Sequence, residues 1–169
     1  MNVSELDAAP VERARELLTA CCGAAPWVDA MVAARPFGDR DRLFAAADRT
    51  WAAITPEQLA DAIARHPRLG GTRAKAALSA REQAWSAGEQ SGVGSADDAA
   101  RTTLAEGNEE YERRFGHTFI LCATGLGTND MLAALQQRLR NDPATERDIT
   151  GRELHKITRL RLEKLLAGA

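Results

Sequence analysis

The residues of this sequence whose types and spacing could do chemistry are a histidine followed by a proline and, later, a polar trio. His66 precedes Pro67, and an imidazole exchanges its proton near neutral pH. Ser86, Glu89 and Gln90 stand at i, i+3 and i+4, so a helix would carry all three on one face. An imidazole and a carboxylate–amide face suit proton transfer to a polar substrate. By spacing alone, the commoner alternatives are a purely structural histidine and a solvated polar surface.

Two further polar residues interrupt apolar stripes. Ile157, Arg161 and Leu165 recur at a spacing of four, so a helix would carry the guanidinium on an otherwise apolar face. Either Arg161 meets an anionic or carbonyl partner, or it lies at the margin of the stripe and extends its charged end into water. Asn108 has a similar apolar setting, and there the pattern favours a structural hydrogen bond to the backbone.

Composition limits the class of protein. The chain of 169 residues has the length of one domain, and we expect a single domain over residues 1–169. Its 33 Ala and 18 Leu against 5 Val and 5 Ile favour helices over sheets. No apolar run reaches the roughly 18 residues of a membrane span. The net charge of -2 disfavours a nucleic-acid partner. We therefore expect a soluble, intracellular, all-α protein that binds a small molecule.

The cysteines and histidines lack the spacing of a metal site. Neither C-x-x-C nor a histidine pair at i, i+4 occurs. We therefore predict no metal and no disulfide, and we interpret the cysteines as small buried apolar residues. The residues concerned are Cys21, Cys22, Cys122, His66, His117 and His155.

Helix start and stop signals predict the elements that hold His66 and the trio. Residues 55–58 combine a capping-box pattern with a proline in the first helical turn. Pro67 biases the preceding residue away from the α region, so this helix is predicted to end at His66. A pair of glycines then predicts a turn, and an Ala-rich helix is predicted over 72–90.

The second half of the chain is also predicted to be helical. Ser95 can cap the next helix, another is predicted over 128–140, and Thr145 can cap the last one. The apolar block at 118–123 fits a strand or a buried helix by pattern alone, and we interpret it as a helical turn. The fold class predicted is all-α, a single-domain bundle of about seven to nine helices.

Read together, these residues resemble the 2-oxo-4-hydroxy-4-carboxy-5-ureidoimidazoline (OHCU) decarboxylases, helical enzymes of urate breakdown that yield (S)-allantoin. The resemblance spans nearly the whole chain, and four motifs in the family's order make it specific. They are His66-Pro67-Arg68-Leu69-Gly70; Ser86-x-x-Glu89-Gln90; Asn108-x-x-Tyr111-x-x-Arg114-Phe115-Gly116 leading into Phe119-Ile120-Leu121-Cys122-Ala123; and Glu153-x-x-Lys156-Ile157 with Leu160-Arg161-Leu162.

The resemblance implies an all-α homodimer that works without metal or organic cofactor. It assigns catalysis to His66 and its partner carboxylate Glu89. Arg114 and Asn108 are expected to support the site rather than to touch substrate. The residues that the resemblance assigns to substrate binding are Pro67, Ser86, Gln90, Phe119, Ile120, Leu121, Cys122, Ala123 and Arg161.

The implied reaction suits these side chains. Loss of carbon dioxide leaves an electron pair that the substrate's own C=N and carbonyl groups delocalise, so no cofactor is needed. The protein must orient the carboxylate, donate hydrogen bonds and deliver a proton to one face. Our hypothesis is that His66 is the general acid, while Glu89 holds the imidazole or receives the substrate hydroxyl.

Three other functions stay open at this stage. The chain could be an inactive helical binding module of purine metabolism, or a decarboxylase of a related ureido acid. It could also be a small DNA-binding protein that uses the basic stretch of Arg159, Arg161 and Lys164.

Peroxisomal members of the family often end in a targeting tripeptide, and the ending Ala-Gly-Ala at 167–169 is not such a signal. This favours the cytosol.

Overall fold

The protein is helical throughout the residues that its computed structural model describes, which are 1–71, 78–94 and 98–168. These residues form ten helices and no strand. The all-α class is confirmed. The ten helices of the described residues are one more than the predicted range, and the two shortest have only six and four residues. In chain order the helices are α1 (Val3–Ala8), α2 (Val11–Cys21), α3 (Ala25–Ala33), α4 (Arg40–Ala52), α5 (Pro56–Arg65), α6 (Ala80–Glu89), α7 (Ser91–Gly94), α8 (Asp98–Phe115), α9 (Thr128–Arg138) and α10 (Pro143–Ala167).

The chain divides into two compact units. Unit 1 comprises Met1–Ala62 and His155–Ala169, and unit 2 comprises Ile63–Leu154. The single domain over residues 1–169 stays a prediction. None of the helices formed by the described residues is long and apolar enough to cross a bilayer.

Unit 1 has a core of large apolar side chains from its first four helices. Trp27, Met31 and Leu43 are fully buried, and the indole of Trp27 donates a hydrogen bond to the Ala47 carbonyl at 3.3 Å. Cys21 and Cys22 are buried, as expected of small apolar residues, whereas Cys122 of unit 2 is only partly buried. No disulfide links these three cysteines.

The helix that leads to His66 begins as the sequence predicts. The Thr55 hydroxyl accepts from the Gln58 N–H at 3.3 Å, and the Gln58 side chain accepts from the Thr55 N–H at 3.1 Å. The helix ends at Arg65, so the predicted exit at His66 is confirmed.

The helix that carries the trio begins later than predicted within the described residues. Ser79 caps it by accepting from the Glu82 N–H at 3.3 Å, and Glu82 accepts from the Ser79 N–H at 2.7 Å. The first residues of the predicted helix, 72–77, and the predicted cap Ser95 lie outside the described residues.

Two local predictions are wrong. Residues 118–123 form no helical turn. Side chains from α9 and α10 bind the Ile120 carbonyl and the Cys122 N–H of this segment. Thr145 does not cap the last helix, because the Asp142 carboxylate accepts from the N–H groups of Ala144 and Thr145, both at 3.0 Å. Pro143 then takes the first helical position, where its missing N–H costs nothing.

Candidate functional site

His66 begins a non-helical segment, residues 66–71, which we call the histidine corner. The His66 N–H closes the end of α5 by donating to the Ile63 carbonyl at 2.9 Å. The side chain is half-buried.

Helix α8 holds the histidine corner at two points. The Arg68 guanidinium forms a two-point pair with Glu112, with both N···O distances at 3.0 Å. The Asn108 amide donates to the Leu69 carbonyl at 3.0 Å. Asn108 is 1% exposed, so the predicted structural hydrogen bond to the backbone is confirmed. The corner is fixed by side chains rather than by its own turn alone.

Gln90 joins the histidine corner to the polar trio. Its Oε1 accepts from the Gly70 N–H at 2.8 Å, and its Nε2 donates to the Ser86 hydroxyl at 3.4 Å. Gly70 has φ +70, and a Cβ there would lie 3.0 Å from Leu104 Cδ2. Glycine is therefore strongly favoured at this position, where the corner approaches α7 and α8. This contact brings two of the predicted motifs together.

Helix α6 turns the trio inward. Ser86 is 7% exposed and Glu89 is 6% exposed, while Gln90 is half-buried at the C-cap. The solvated-surface alternative is therefore wrong for Ser86 and Glu89. The pairing of His66 with Glu89 stays a prediction.

A second link joins the end of α5 to the start of α6. The Arg65 guanidinium lies 3.9 Å from the Glu82 carboxylate, whose side chain is almost wholly buried. Arg65 immediately precedes His66. This pair and the Gln90 contact therefore tie both ends of α6 to the chain on either side of the imidazole.

The backbone at 119–123 is held by Glu153 of the fourth motif and by Arg138, which sequence reasoning did not single out. Phe119 and Ile120 are 1% exposed. Arg138 donates to the Ile120 carbonyl at 2.5 Å, and Glu153 accepts from the Cys122 N–H at 2.9 Å. The Arg138 guanidinium also lies 4.6 Å from the Phe119 ring centre.

Arg138 belongs to a buried polar cluster. Its Nε and Nη2 donate to Glu146 Oε1 at 2.8 and 2.5 Å, and Nη2 donates to the Thr150 hydroxyl at 2.9 Å. The Tyr111 hydroxyl also donates to Glu146. Burial, and then the hydrogen bond to Glu146, raise the pKa of Tyr111 far above its usual value. The phenol therefore stays neutral.

The sequence does carry a signal for this cluster. Met131, Leu135 and Arg138 follow one another at helical spacing, so the guanidinium continues an apolar stripe of α9. On α10, Glu146, Thr150 and Glu153 share one face. Such a pattern on two helices predicts a buried ion pair.

Arg161 is a residue of unit 1 and is buried. It is 5% exposed, and its Nη1 lies 3.5 Å from the Ala20 carbonyl. The alternative in which its charged end extends into water is wrong, because the stripe packs inward on both sides of it. Its role in substrate binding stays a prediction.

The basic stretch on α10 is not an open cationic surface. The Arg159 guanidinium donates to both carboxylate oxygens of Asp48, at 2.5 and 2.6 Å, and lies 4.8 Å from the Phe44 ring centre. Arg161 is buried. Two of the three residues proposed for DNA binding, Arg159 and Arg161, are therefore engaged within the protein, which counts against the DNA-binding alternative.

A cavity of about 440 Å³ in unit 2 adjoins the histidine corner. Asn108 lies in its wall, and the Asn108 Oδ1 is a buried acceptor that has no hydrogen-bond partner among the described residues. Among the described residues, His66, Ser86 and Glu89 do not line this cavity. Its lining is Arg68, Leu69, Gly70, Gly71, Val93, Arg101, Leu104, Ala105 and Asn108.

The described residues offer no obvious metal centre. Within the described ranges, no group of three or more His, Cys, Asp or Glu side chains is arranged to hold an ion.

Comparison with known sequences gives a consistent result. The sequence model of one family, OHCU decarboxylase, matches residues 7–163. The uric acid degradation bifunctional protein TTL of Arabidopsis thaliana is 29% identical over 147 residues, which are 87% of this chain and 45% of TTL. The 2-oxo-4-hydroxy-4-carboxy-5-ureidoimidazoline decarboxylase of Amia calva is 38% identical over 106 residues, which are 60% of this chain and 57% of the relative. The chain thus spans about half the length of these two relatives.

A solved structure shares the fold. The crystal structure of an OHCU decarboxylase in the presence of (S)-allantoin matches with a TM-score of 0.77 and 29% sequence identity. The match covers 90% of this chain and 98% of that chain.

Proposed function

Because the chain belongs to the OHCU decarboxylase family, we propose that it decarboxylates OHCU to (S)-allantoin in urate degradation, without a cofactor. The proposal rests mainly on the two hydrogen bonds of the Gln90 side chain, one with Gly70 of the histidine corner and one with Ser86 of α6. This contact brings the segment of the proposed acid close to the helix of the proposed carboxylate.

The reaction needs little beyond orientation and a proton. The bond from the ring carbon to the carboxylate breaks, and its electron pair passes into the adjoining C=N and carbonyl system. The substrate is thus its own electron sink. Carbon dioxide leaves, and a proton delivered to one face of the neighbouring ring carbon, which bears the ureido group, gives a single enantiomer. The hydroxyl on the decarboxylated carbon loses its proton and becomes the ring carbonyl.

His66 is the proposed general acid. It follows the last residue of α5, and an imidazole can exchange its proton near neutral pH. Two links to α8 and one to α6 fix the corner that carries it. Glu89, on buried α6 surface, is the proposed partner that orients the imidazole or accepts the substrate hydroxyl proton.

The amide and hydroxyl next to Glu89 supply donors. Gln90 uses Oε1 on Gly70 and one Nε2 hydrogen on Ser86, so its second Nε2 hydrogen is available to a substrate oxygen. The Ser86 hydroxyl accepts from Gln90 and can donate its own hydrogen. We assign Pro67, the backbone of 119–123 and Arg161 to substrate contacts as the family resemblance implies.

The experiment is a stereochemical assay of the wild-type protein and one variant pair. OHCU is generated in place from urate, and carbon dioxide release is followed together with the circular dichroism of allantoin. His66→Gln should lower kcat by about 10²–10⁴. His117→Gln is the matched control, since His117 is also a half-buried histidine of unit 2.

Each result of this assay has one meaning. Faster formation of one enantiomer by the wild type supports the decarboxylase. If the folded wild type does not accelerate the decarboxylation of OHCU, the proposed function is refuted and the inactive binding module is favoured. If the wild type accelerates only the decarboxylation of a different ureido acid, that acid is the favoured substrate. A His66→Gln variant with wild-type kcat removes His66 from the mechanism.

We also propose that the protein acts as a cytoplasmic homodimer, as the resemblance implies. Light scattering coupled to size-exclusion chromatography measures the mass against the 18.3 kDa of one chain. A monomeric mass for fully active protein would refute the dimer.

A further inference from the structure

The peptide groups on both sides of Leu121 are held by buried charged side chains. The Arg138 guanidinium donates to the Ile120 carbonyl at 2.5 Å. The Glu153 carboxylate accepts from the Cys122 N–H at 2.9 Å. Arg138 is 5% exposed and Glu153 is 9% exposed. Charge-assisted hydrogen bonds of this kind are stronger than those between neutral groups.

These two contacts fix the direction of the Leu121 peptide groups. In a planar trans peptide the C=O and the N–H point in opposite directions. With the Ile120 carbonyl directed at Arg138, the Leu121 N–H points away from Arg138. With the Cys122 N–H directed at Glu153, the Leu121 carbonyl points away from Glu153. One donor and one acceptor, both on Leu121, are thereby oriented by side chains of α9 and α10.

The Arg138 contact is rigid. Its guanidinium donates to Glu146, which is fully buried, and to the Thr150 hydroxyl. The Tyr111 hydroxyl donates to the same carboxylate. A planar guanidinium that is bound on several edges keeps its orientation. The Ile120 carbonyl therefore meets a donor that is already in place before any ligand binds.

We propose that Arg138 and Glu153 are positioning residues, which orient the Leu121 N–H and C=O to bind an adjacent C=O and N–H of a urea or cyclic amide substrate. This inference rests on the proposed function, since OHCU and allantoin both carry such groups. Neither side chain touches the reacting carbon. Each acts through the backbone of Leu121, which makes the contact.

The test compares three variants of α10 in the decarboxylation assay. Glu153→Ala removes the acceptor for the Cys122 N–H and should raise KM about tenfold, with a smaller change in kcat. Glu153→Gln keeps a carbonyl oxygen at the same place and should restore KM to near the wild-type value. Asp148→Ala, an exposed acidic residue of the same helix, should leave KM unchanged.

A measurement without turnover follows the Leu121 amide itself. In protein labelled with ¹⁵N-leucine, addition of (S)-allantoin should shift the Leu121 signal, which is identified by its loss in Leu121→Ile. The shift should shrink in Glu153→Ala and return in Glu153→Gln. Should Glu153→Ala fail to fold, Arg138→Lys replaces it, because lysine keeps the charge beside Glu146 but cannot also hold the Ile120 carbonyl.

The outcomes separate this inference from the proposed function. Wild type that does not accelerate decarboxylation overturns the function. Active wild type, with KM and the Leu121 shift unchanged in folded Glu153→Ala or Arg138→Lys, overturns the positioning role alone. Failure of Glu153→Gln to restore KM also overturns it, because the Cys122 N–H needs only a hydrogen-bond acceptor at this position.

Discussion

Replacing Asn108 with aspartate tests how the histidine corner is held. The Asn108 amide donates to the Leu69 carbonyl at 3.0 Å, and the two residues are 1% and 4% exposed. A carboxyl group has nearly the size of the amide, but only its protonated form offers a donor to that carbonyl. The ionised form would place a negative oxygen against the carbonyl oxygen in a buried site, which is unfavourable.

The magnitude follows from the pKa of the introduced carboxyl. Burial and the hydrogen bond made by the protonated form raise this pKa by about 3–5 units above the unfolded value of about 3.9. The folded state then binds the proton more tightly than the unfolded state. The free energy of unfolding of Asn108→Asp should therefore fall by about 1.4 kcal/mol per pH unit above about pH 4. Relative to the wild type, the loss between about pH 4 and about pH 7 is about 4 kcal/mol.

The assay is urea denaturation followed by circular dichroism at several pH values from about 4 to about 7. Asn129→Asp, at an exposed position of α9, is the control for adding one carboxyl group. Its free energy of unfolding should keep the pH dependence of the wild type. Parallel curves for Asn108→Asp and Asn129→Asp would refute the argument, since a carboxyl that must stay protonated cannot behave like a solvated one.

Three other predictions concern stability. Burial lowers the pKa of His155 more than the neighbouring Asp carboxylate raises it. The unfolded chain then binds this proton more tightly, so the free energy of unfolding should fall as the pH drops below 6.5. His155→Gln should lessen this fall. An equally steep dependence of the free energy of unfolding on pH in His155→Gln would contradict the prediction. Arg138→Met should lower the free energy of unfolding, measured by urea denaturation, by about 3–5 kcal/mol because it leaves Glu146 buried without its cation. Adding Glu146→Leu to this variant should recover part of the lost stability. If stability is not recovered, Glu146 is not destabilised by the loss of Arg138. Gly70→Ala should cost more than Gly116→Ala, since both glycines have positive φ but only the first has a close neighbour; equal thermal midpoints would show that backbone strain alone matters.

The sequence was sufficient for features that local chemistry decides. The capping box at 55–58 and the restriction that Pro67 places on His66 act within a few residues, so the helix and its end were predictable. The excess of Ala and Leu over β-branched residues decided the all-α class in the same way. The order of the four motifs was enough to identify the family.

Segment 118–123 shows where that reasoning stops. Its apolar run does not distinguish a strand from a buried helix, and the decisive groups are Arg138 and Glu153, which follow it in the chain. A side chain that binds the backbone of another segment leaves no periodic signal in that segment. For Ser86 and Glu89, the spacing predicted a shared helical face. It did not predict the burial of that face, because burial depends on neighbours that are distant in sequence.

The amino-acid sequence by itself determined which residues are chemically able to act and where the chain leaves its helices, because propensities and caps operate over one or two turns. Only the tertiary structure decided that Gln90 meets Gly70, that Asn108 binds Leu69, and that two charged side chains direct the Leu121 peptide groups. These contacts depend on packing between helices, which arranges buried polar groups so that each donor finds an acceptor.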